Sequence, residues 1–504
     1  MSKSYPRSGD DPEDGDDLTL LPRGGGEKAA ATMTALTPTV FVYICIAAVA
    51  NCLFGFENSA ISQAKTDFAA DYDINTKSAE YGFLAGAMPV GATVACLFAG
   101  LLQDGLGRRI TLILASCIYL GSAAMAHWAT DFAMFAGARL VTGVSIGIFS
   151  STVPMYIAEL APPQLRGTLV TLNQVCICTG ILLGYAVDKV LTPYWRWELS
   201  AGVPMAVAVL LCFIFVTPFS PRWLLSRGRA AEARAVLMRI RGGRAAEVDA
   251  EMAAIEAAIA MTTGGGRWDK LREPHVMWGV AIGVIAALMQ QWCGVNAVNA
   301  FAQEIFVDAG FSASDATTQA IYIGVAKLAF VIVALALMDR VGRKPLLLVG
   351  CAGMAASLLA LALSFQLNPK QSPTDKLPKS VGVTASAALV LFMAFFEISL
   401  GPVLWLLLSE LYPLQVKGVA MSVGSFTCWL MTYVVTQVFP PMQAALGIGG
   451  VFFFFAAVSL ASFVWIWIFL FETKGRTLEE IEDLLRGTPA SAKGLGDGFE
   501  LLTG

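Results

Sequence analysis

Twelve apolar runs, each near the ~20 residues needed to cross a hydrocarbon core, leave this chain few folds to choose from. They fall at 39–59, 80–102, 109–128, 132–155, 168–188, 199–218, 276–303, 318–338, 345–366, 381–409, 418–440 and 447–471. Backbone amides find no water inside lipid, so segments of this length must satisfy their own hydrogen bonds as helices. The predicted class is an all-α membrane protein with twelve transmembrane helices. Only 14% of the 504 residues are charged, against roughly a quarter in soluble domains. The lipid bilayer is therefore the expected solvent, and a net charge of −4 gives no basic surface for nucleic acid. Ten cysteines, at 45, 52, 96, 117, 176, 178, 212, 293, 351 and 428, lie inside the apolar runs without the paired spacing of a zinc site. They read as packing residues, and neither metal nor cofactor is expected.

An even number of crossings puts both ends of the chain on one side. Loops of that parity hold Arg108, Arg109, Arg166, Arg340, Arg343, Lys344 and Lys417, with ten more Lys or Arg between 219 and 274. The opposite loops hold only Lys65, Lys77, Lys189, Arg196, Lys370, Lys376 and Lys379. Positive-inside bias thus predicts cytoplasmic termini. Two basic residues, Arg139 and Lys327, remain stranded inside apolar runs. The expected organisation is a disordered tail over 1–36, six helices over 37–218, a cytoplasmic linker over 219–274, six helices over 275–471, and a tail over 472–504. Within the linker, 229–240 and 245–261 have helical spacing, which predicts two or three short amphipathic helices on the cytoplasmic face.

The two sets of six share sequence. Glu159-Leu160-Ala161-Pro162-Pro163-Gln164-Leu165-Arg166-Gly167 returns as Glu410-Leu411-Tyr412-Pro413-Leu414-Gln415-Val416-Lys417-Gly418. Each is preceded by a second shared phrase, Asp104-x-x-Gly107-Arg108-Arg109 and Asp339-x-x-Gly342-Arg343-Lys344. A duplicated half with charged clusters on one membrane side is how many transporters are built. An enzyme would need a nucleophile, metal cluster or acid–base set, and the only histidines, His127 and His275, sit near helix ends.

Further motifs occur in order between about residues 50 and 480. They include Gly55-Phe56-Glu57, Arg139, Val153-Pro154-Met155-Tyr156-Ile157-Ala158-Glu159, Asn173-Gln174 and Ser220-Pro221-Arg222-Trp223. The second half adds Gln290-Gln291-x-x-Gly294-Val295-Asn296, Phe396-Glu397, Gly401-Pro402, Trp405, Trp429 and Glu472-Thr473-Lys474-Gly475-Arg476. With these the chain resembles the sugar porters of the major facilitator superfamily, which comprise facilitative glucose transporters and proton–sugar symporters. The resemblance implies two pseudo-symmetric six-helix bundles rocking around a central sugar site, in a monomer of the plasma membrane. A vacuolar or plastid membrane is the alternative.

A sugar needs partners that both donate and accept, and amides inside apolar helices provide them. Gln174, Gln290, Gln291 and Asn296 are such amides, and Gly294 could break the helix so that Gln290 and Asn296 both turn inward. By resemblance, Lys327, Glu397, Trp405 and Trp429 complete the substrate site. Glu57 stands where the symporters carry an aspartate, with Arg139 as its partner, which implies proton coupling. Uniport, inositol or another polyol as substrate, and a non-transporting sensor are the rival readings. Asp104, Arg108, Arg109, Glu159, Arg166, Arg222, Asp339, Arg343, Lys344, Glu410, Lys417 and Glu472 are the implied cytoplasmic gate, whose salt bridges would hold the halves together when the cavity faces outward.

The departures from the pattern matter. Ala300 and Phe301 occupy the place of an aromatic pair, Cys428 that of an asparagine, Phe219 that of a glutamate and Phe471 that of a proline. Lys327 replaces an asparagine that usually faces the sugar. Its ammonium needs a carboxylate, and Glu57 and Glu397 are the available acids. It is either internally paired or meets an anionic or unusually polar ligand.

Overall fold

The computed structural model describes residues 37–75, 78–162, 165–263, 267–369, 377–413, 416–476 and 478–487. Of the tails expected over 1–36 and 472–504, residues 1–36, 477 and 488–504 lie outside these residues. Among the described residues every regular element is a helix. The first half runs α1 Pro38–Asp71, α2 Ala79–Leu106, α3 Arg108–His127, α4 Phe132–Leu160, α5 Arg166–Leu191, α6 Trp195–Ser200 and α7 Val203–Phe215. Between the halves come α8 Pro221–Ser226, α9 Ala230–Ile240, α10 Ala245–Thr263 and α11 Arg267–Arg272. The second half runs α12 Pro274–Trp292, α13 Val295–Asp308, α14 Ala313–Val341, α15 Arg343–Leu367, α16 Lys379–Ile398, α17 Leu400–Leu411 and α18 Lys417–Phe469, followed by α19 Leu478–Leu485.

Among the described residues, eleven helical stretches are long and apolar enough to span a bilayer. The last of them, α18, has 53 residues, about 80 Å at 1.5 Å per residue, which is far more than one crossing. It breaks at Gly447, where φ is 71° and ψ 164°, so it supplies two crossings and the expected twelve are recovered. Three other crossings are each made of two helices, α6–α7, α12–α13 and α16–α17. The described residues of the linker hold four helices where the sequence predicted two or three. The extra ones are the six-residue α8 and α11, too short to give a periodic signal.

The shared Asp-x-x-Gly-Arg phrase has a backbone reason. Gly107 and Gly342 have φ of 85° and 105°, and each turns one membrane helix directly into the next, α2 into α3 and α14 into α15. A side chain at either would be strained, so glycine recurs with the repeat. Packing also follows the repeat. In the first half α1 packs on α5 and α2 on α4, and in the second α12 packs on α18 and α14 on α16. Exchanging α2 with α14 and α5 with α18 also maps one contact between the halves, α2 on α18, onto the other, α14 on α5. That is a pseudo-twofold relation, with α1 meeting α13 beside its axis.

One expectation about charge is corrected. Lys65, assigned from sequence to a loop, lies in α1, which stays helical beyond its apolar run, and the side chain is fully buried. The helix continues because Thr66, Phe68, Ala69 and Ala70 include nothing that stops it. Lys189 likewise belongs to the last turn of α5 rather than to a loop.

Candidate functional site

The helix breaks at Gly294 and Ser399 sit close to the midpoints of their crossings and expose backbone where side chains converge. Gly294 adopts a left-handed conformation, φ 93° and ψ 7°, between α12 and α13. Across that break Asn296 donates to the Gln291 carbonyl oxygen at 2.5 Å, joined by Thr432 of α18 at 3.0 Å. The Gln291 amide donates to Gln290 at 3.1 Å, and Gln290 donates to the Leu400 and Gly401 carbonyls at 2.7 and 3.3 Å, at the start of α17. The break thus brings Gln290, Gln291 and Asn296 into one network, although an unbroken helix would splay them.

Lys327 lies at the centre of α14 and pairs with Glu397, Nζ to Oε1 2.6 Å, both groups being buried. Gln174 of α5, in the opposite half, donates to the other Glu397 oxygen at 3.3 Å. Of the two acids open to Lys327 in the sequence, Glu397 is the partner. Gln174, Asn296 and Trp405 are only half-buried at this depth. Because Gln174 and Glu397 join the halves, the space Gln174 faces is the seam between the halves rather than lipid. Trp429 is buried, donates to Ser150 of α4 at 3.2 Å and lies 5.0 Å, centroid to centroid, from Phe54. Thr432, Ser150 and Phe54 carry no signal in a single sequence, since small hydroxyls and phenylalanine are ordinary in membrane helices.

Glu57, also buried, is ion-paired with Arg139 and accepts a hydrogen bond from the Tyr119 hydroxyl at 2.6 Å. Arg139 reaches further, donating to the Glu57 backbone carbonyl at 3.2 Å. Two donors on a carboxylate in a dry interior compensate its lost hydration. Sequence reasoning named the first and missed Tyr119.

At the end of the bundle where α1 begins and α18 ends, the repeated phrases make equivalent contacts. Arg108 bridges Asp104 at 3.5 Å and Glu159 at 3.0 Å, and Arg343 bridges Glu410 at 2.8 Å. Glu472 accepts the backbone amides of Arg343 and Lys344 at 2.9 and 3.0 Å, placing a carboxylate on the positive N-terminus of α15. The Lys344 ammonium donates to the Trp467 carbonyl. Arg109 donates to the Phe213 and Ile214 carbonyls, and its guanidinium lies 5.0 Å from the centre of the Phe219 ring. That ring stands where a glutamate was expected and offers a cation–π contact in its place. Arg222 is exposed and lies outside these ion-paired sets. Lys417 opens α18, while the side chains of Arg166 and Asp339 fall outside the description. The Arg108 and Arg343 ion pairs named here each lie within one half.

Contacts between the halves concentrate at mid-depth and at the opposite end. There Glu304 of α13 is ion-paired with Lys65 of α1 and accepts a hydrogen bond from Tyr81 of α2. The Lys65 ammonium also lies 4.4 Å from the Phe301 ring centre and 4.7 Å from that of Tyr81. Lys189 donates to Ser314, and Gln437 to the Ala79 carbonyl. The sequence singled out Phe301 as a departure but not Lys65 or Glu304, which lie just past the ends of apolar runs.

The sugar (and other) transporter family matches residues 33–485. The chain belongs to that family, within the major facilitator superfamily. It is 34% identical to a glucose transporter of Staphylococcus epidermidis, over 88% of this chain and 97% of the relative. It is 30% identical to the D-xylose–proton symporter of Escherichia coli K12, over 88% and 95%. A third relative, the major myo-inositol transporter of Bacillus subtilis, is 32% identical over 91% and 97%. Among solved structures, the proton:xylose symporter XylE bound to 6-bromo-6-deoxy-D-glucose superposes with TM-score 0.75 at 28% identity, covering 90% of this chain and all of that one. A partially occluded inward-open form of the same E. coli transporter gives 0.75 at 27% identity, covering 88% and 100%. The chain is thus a multi-pass membrane transporter of the sugar porter type, and the twelve-helix expectation stands.

Proposed function

We propose that this protein carries a neutral sugar, a hexose such as glucose, in symport with a proton, by alternating access around the mid-depth seam. Gln174, Gln290, Gln291 and Asn296 supply donors and acceptors for the sugar hydroxyls. Trp405 and Trp429 supply faces for its apolar side. An unmet buried hydroxyl costs about 1–3 kcal/mol, so the amide network sets affinity. Glu57 loads and releases the proton, with Arg139 and Tyr119 holding the carboxylate when it is charged. We place the protein in the plasma membrane as a functional monomer, with both termini and the repeated charged phrases cytoplasmic. On that orientation the present conformation is closed outside by Lys65, Glu304 and Tyr81. The cytoplasmic clusters Arg108–Glu159 and Arg343–Glu410 re-form against the opposite half when the cavity faces out.

The observation that carries coupling is the buried Glu57 carboxylate inside the α1 crossing, paired with Arg139. In proteoliposomes with an inward proton gradient, the wild type should accumulate labelled D-glucose, D-xylose or myo-inositol above equilibrium. Glu57→Gln should lose that uphill uptake and keep sugar exchange. Uphill uptake by the variant would refute the coupling, and equal downhill-only transport by both proteins would make this a uniporter.

A further inference from the structure

Two opposite charges sit together in the wall of the proposed sugar site, and their placement bears on which sugars it accepts. Glu397 reports directly to the seam, because its second oxygen accepts from the half-buried Gln174 across the halves. A carboxylate in that place, alone, would draw an amino sugar, whose ammonium could sit against it as a charged donor. Lys327 already fills that role: its ammonium lies 2.6 Å from the carboxylate, on an oxygen Gln174 does not use. Two further neighbours of the ammonium are soft and uncharged, the Met393 sulfur at 3.8 Å and the Phe396 ring 5.2 Å away. Glu57, the other acid the sequence offered to Lys327, is taken by Arg139 and Tyr119.

We propose that Lys327 is a specificity-determining residue, a built-in counter-ion for Glu397 that makes the site electrically neutral and rejects sugars of either charge. An amino sugar would have to displace Lys327, leaving its ammonium buried without a partner. A sugar acid would bring a carboxylate beside Glu397 and compete with it for the one ammonium. Both carry the cost of an uncompensated charge in a dry site, while a neutral polyol disturbs neither partner. This rests on the substrate-site reading given under Proposed function.

Charge preference tests it. Binding of D-glucose, D-xylose, myo-inositol, D-glucosamine and D-glucuronate is measured at pH 7 on purified wild type, Lys327→Gln, Glu397→Gln and the double variant Lys327→Gln/Glu397→Gln. The wild type should bind at least one neutral probe at least about tenfold better than either charged one, as expected for leaving a buried charge unpaired. Lys327→Gln should shift preference toward glucosamine, and Glu397→Gln toward glucuronate, each by about tenfold or more relative to the wild type. The double variant, which leaves no lone charge, should fold like the wild type and show neither preference. A wild type that binds glucuronate or glucosamine as well as the neutral probes overturns the proposal and leaves sugar transport standing. Single variants that fold and keep the wild-type preference also overturn it. Should the single variants fail to fold, the wild type and double variant decide: rejection of charged probes that the double variant retains would refute the pair as the filter. Shifts toward charged probes without any neutral sugar bound by the wild type would uphold the charge filter and refute the neutral-sugar function. Absence of binding to all four proteins refutes both.

Discussion

A carboxylate persists inside a membrane protein only where cations or donors surround it, and three acids here meet that condition differently. Glu57 takes Arg139, Glu397 takes Lys327, and Glu304 takes Lys65. Removing one partner of such a pair strands the other, which costs about 3–5 kcal/mol. Arg139→Leu should therefore lower thermal stability in detergent strongly, and adding Glu57→Gln should recover much of the loss. Equal stability of the single variant and the wild type would count against a charged pair. Tyr119→Phe keeps the ring and removes a hydrogen bond to a carboxylate, so a smaller loss of about 1.5–3 kcal/mol is expected in the same assay. Lys327 and Arg139 were conspicuous as sequence because a cation inside an apolar run has no innocent explanation. Tyr119 was not, since a tyrosine in a membrane helix needs none.

Elements carry a different kind of constraint. The crossing of α1 and α5, which positions Glu57 and Gln174, depends on backbones that nearly touch. A β-carbon at Gly180 would lie 2.1 Å from the Cys52 carbonyl, and one at Gly55 1.9 Å from that of Ile177. Small residues permit such approach between membrane helices. Gly180→Leu should consequently give little monodisperse protein on size-exclusion chromatography, and a normal yield would show that the crossing can open. At the tail end, α19 docks through Glu482, which lies 2.8 Å from Lys270, 3.0 Å from His275 and 2.6 Å from Arg486. Partial burial pushes this carboxyl up, but those contacts outweigh it and hold it below the usual value. The charged form is thus the docked one, and its contribution is complete above the ordinary glutamate value of about 4.3 and fades as pH falls below it. Hydrogen-exchange protection over 478–487 should be steady from pH 8 to 6 and decline under acid conditions; a decline at alkaline pH first would contradict this. The helix breaks were legible: Gly294 was a candidate hinge, and the break at Ser399 falls just before Pro402, which has no amide to offer the Ile398 carbonyl four residues back, while the Gln290 contacts to the Leu400 and Gly401 carbonyls came only with the fold.

For the whole molecule, the question is which end of the seam is shut. Lys65, Glu304 and Tyr81 close the end away from α19, while the Arg108 and Arg343 pairs at the α19 end each lie within one half. Lys65→Ala or Glu304→Gln should favour the alternative state, seen as greater thiol labelling of single cysteines placed along the seam beside Phe301. Unchanged labelling would show that the aromatic contacts alone keep it closed. What the sequence determined by itself is the twelve-helix membrane class, the duplication and the family. These follow from runs of apolar residues, from charge parity and from motifs, all of which are local in the chain. It also flagged most of the polar residues of the site, because any polar group in hydrocarbon stands out. Only the tertiary structure decided that Lys327 answers Glu397 and not Glu57, that Lys65 is buried, and which end of the seam is closed. Those are pairings between helices far apart in the chain, chosen by how two bundles pack, and no spacing along one strand of sequence encodes them.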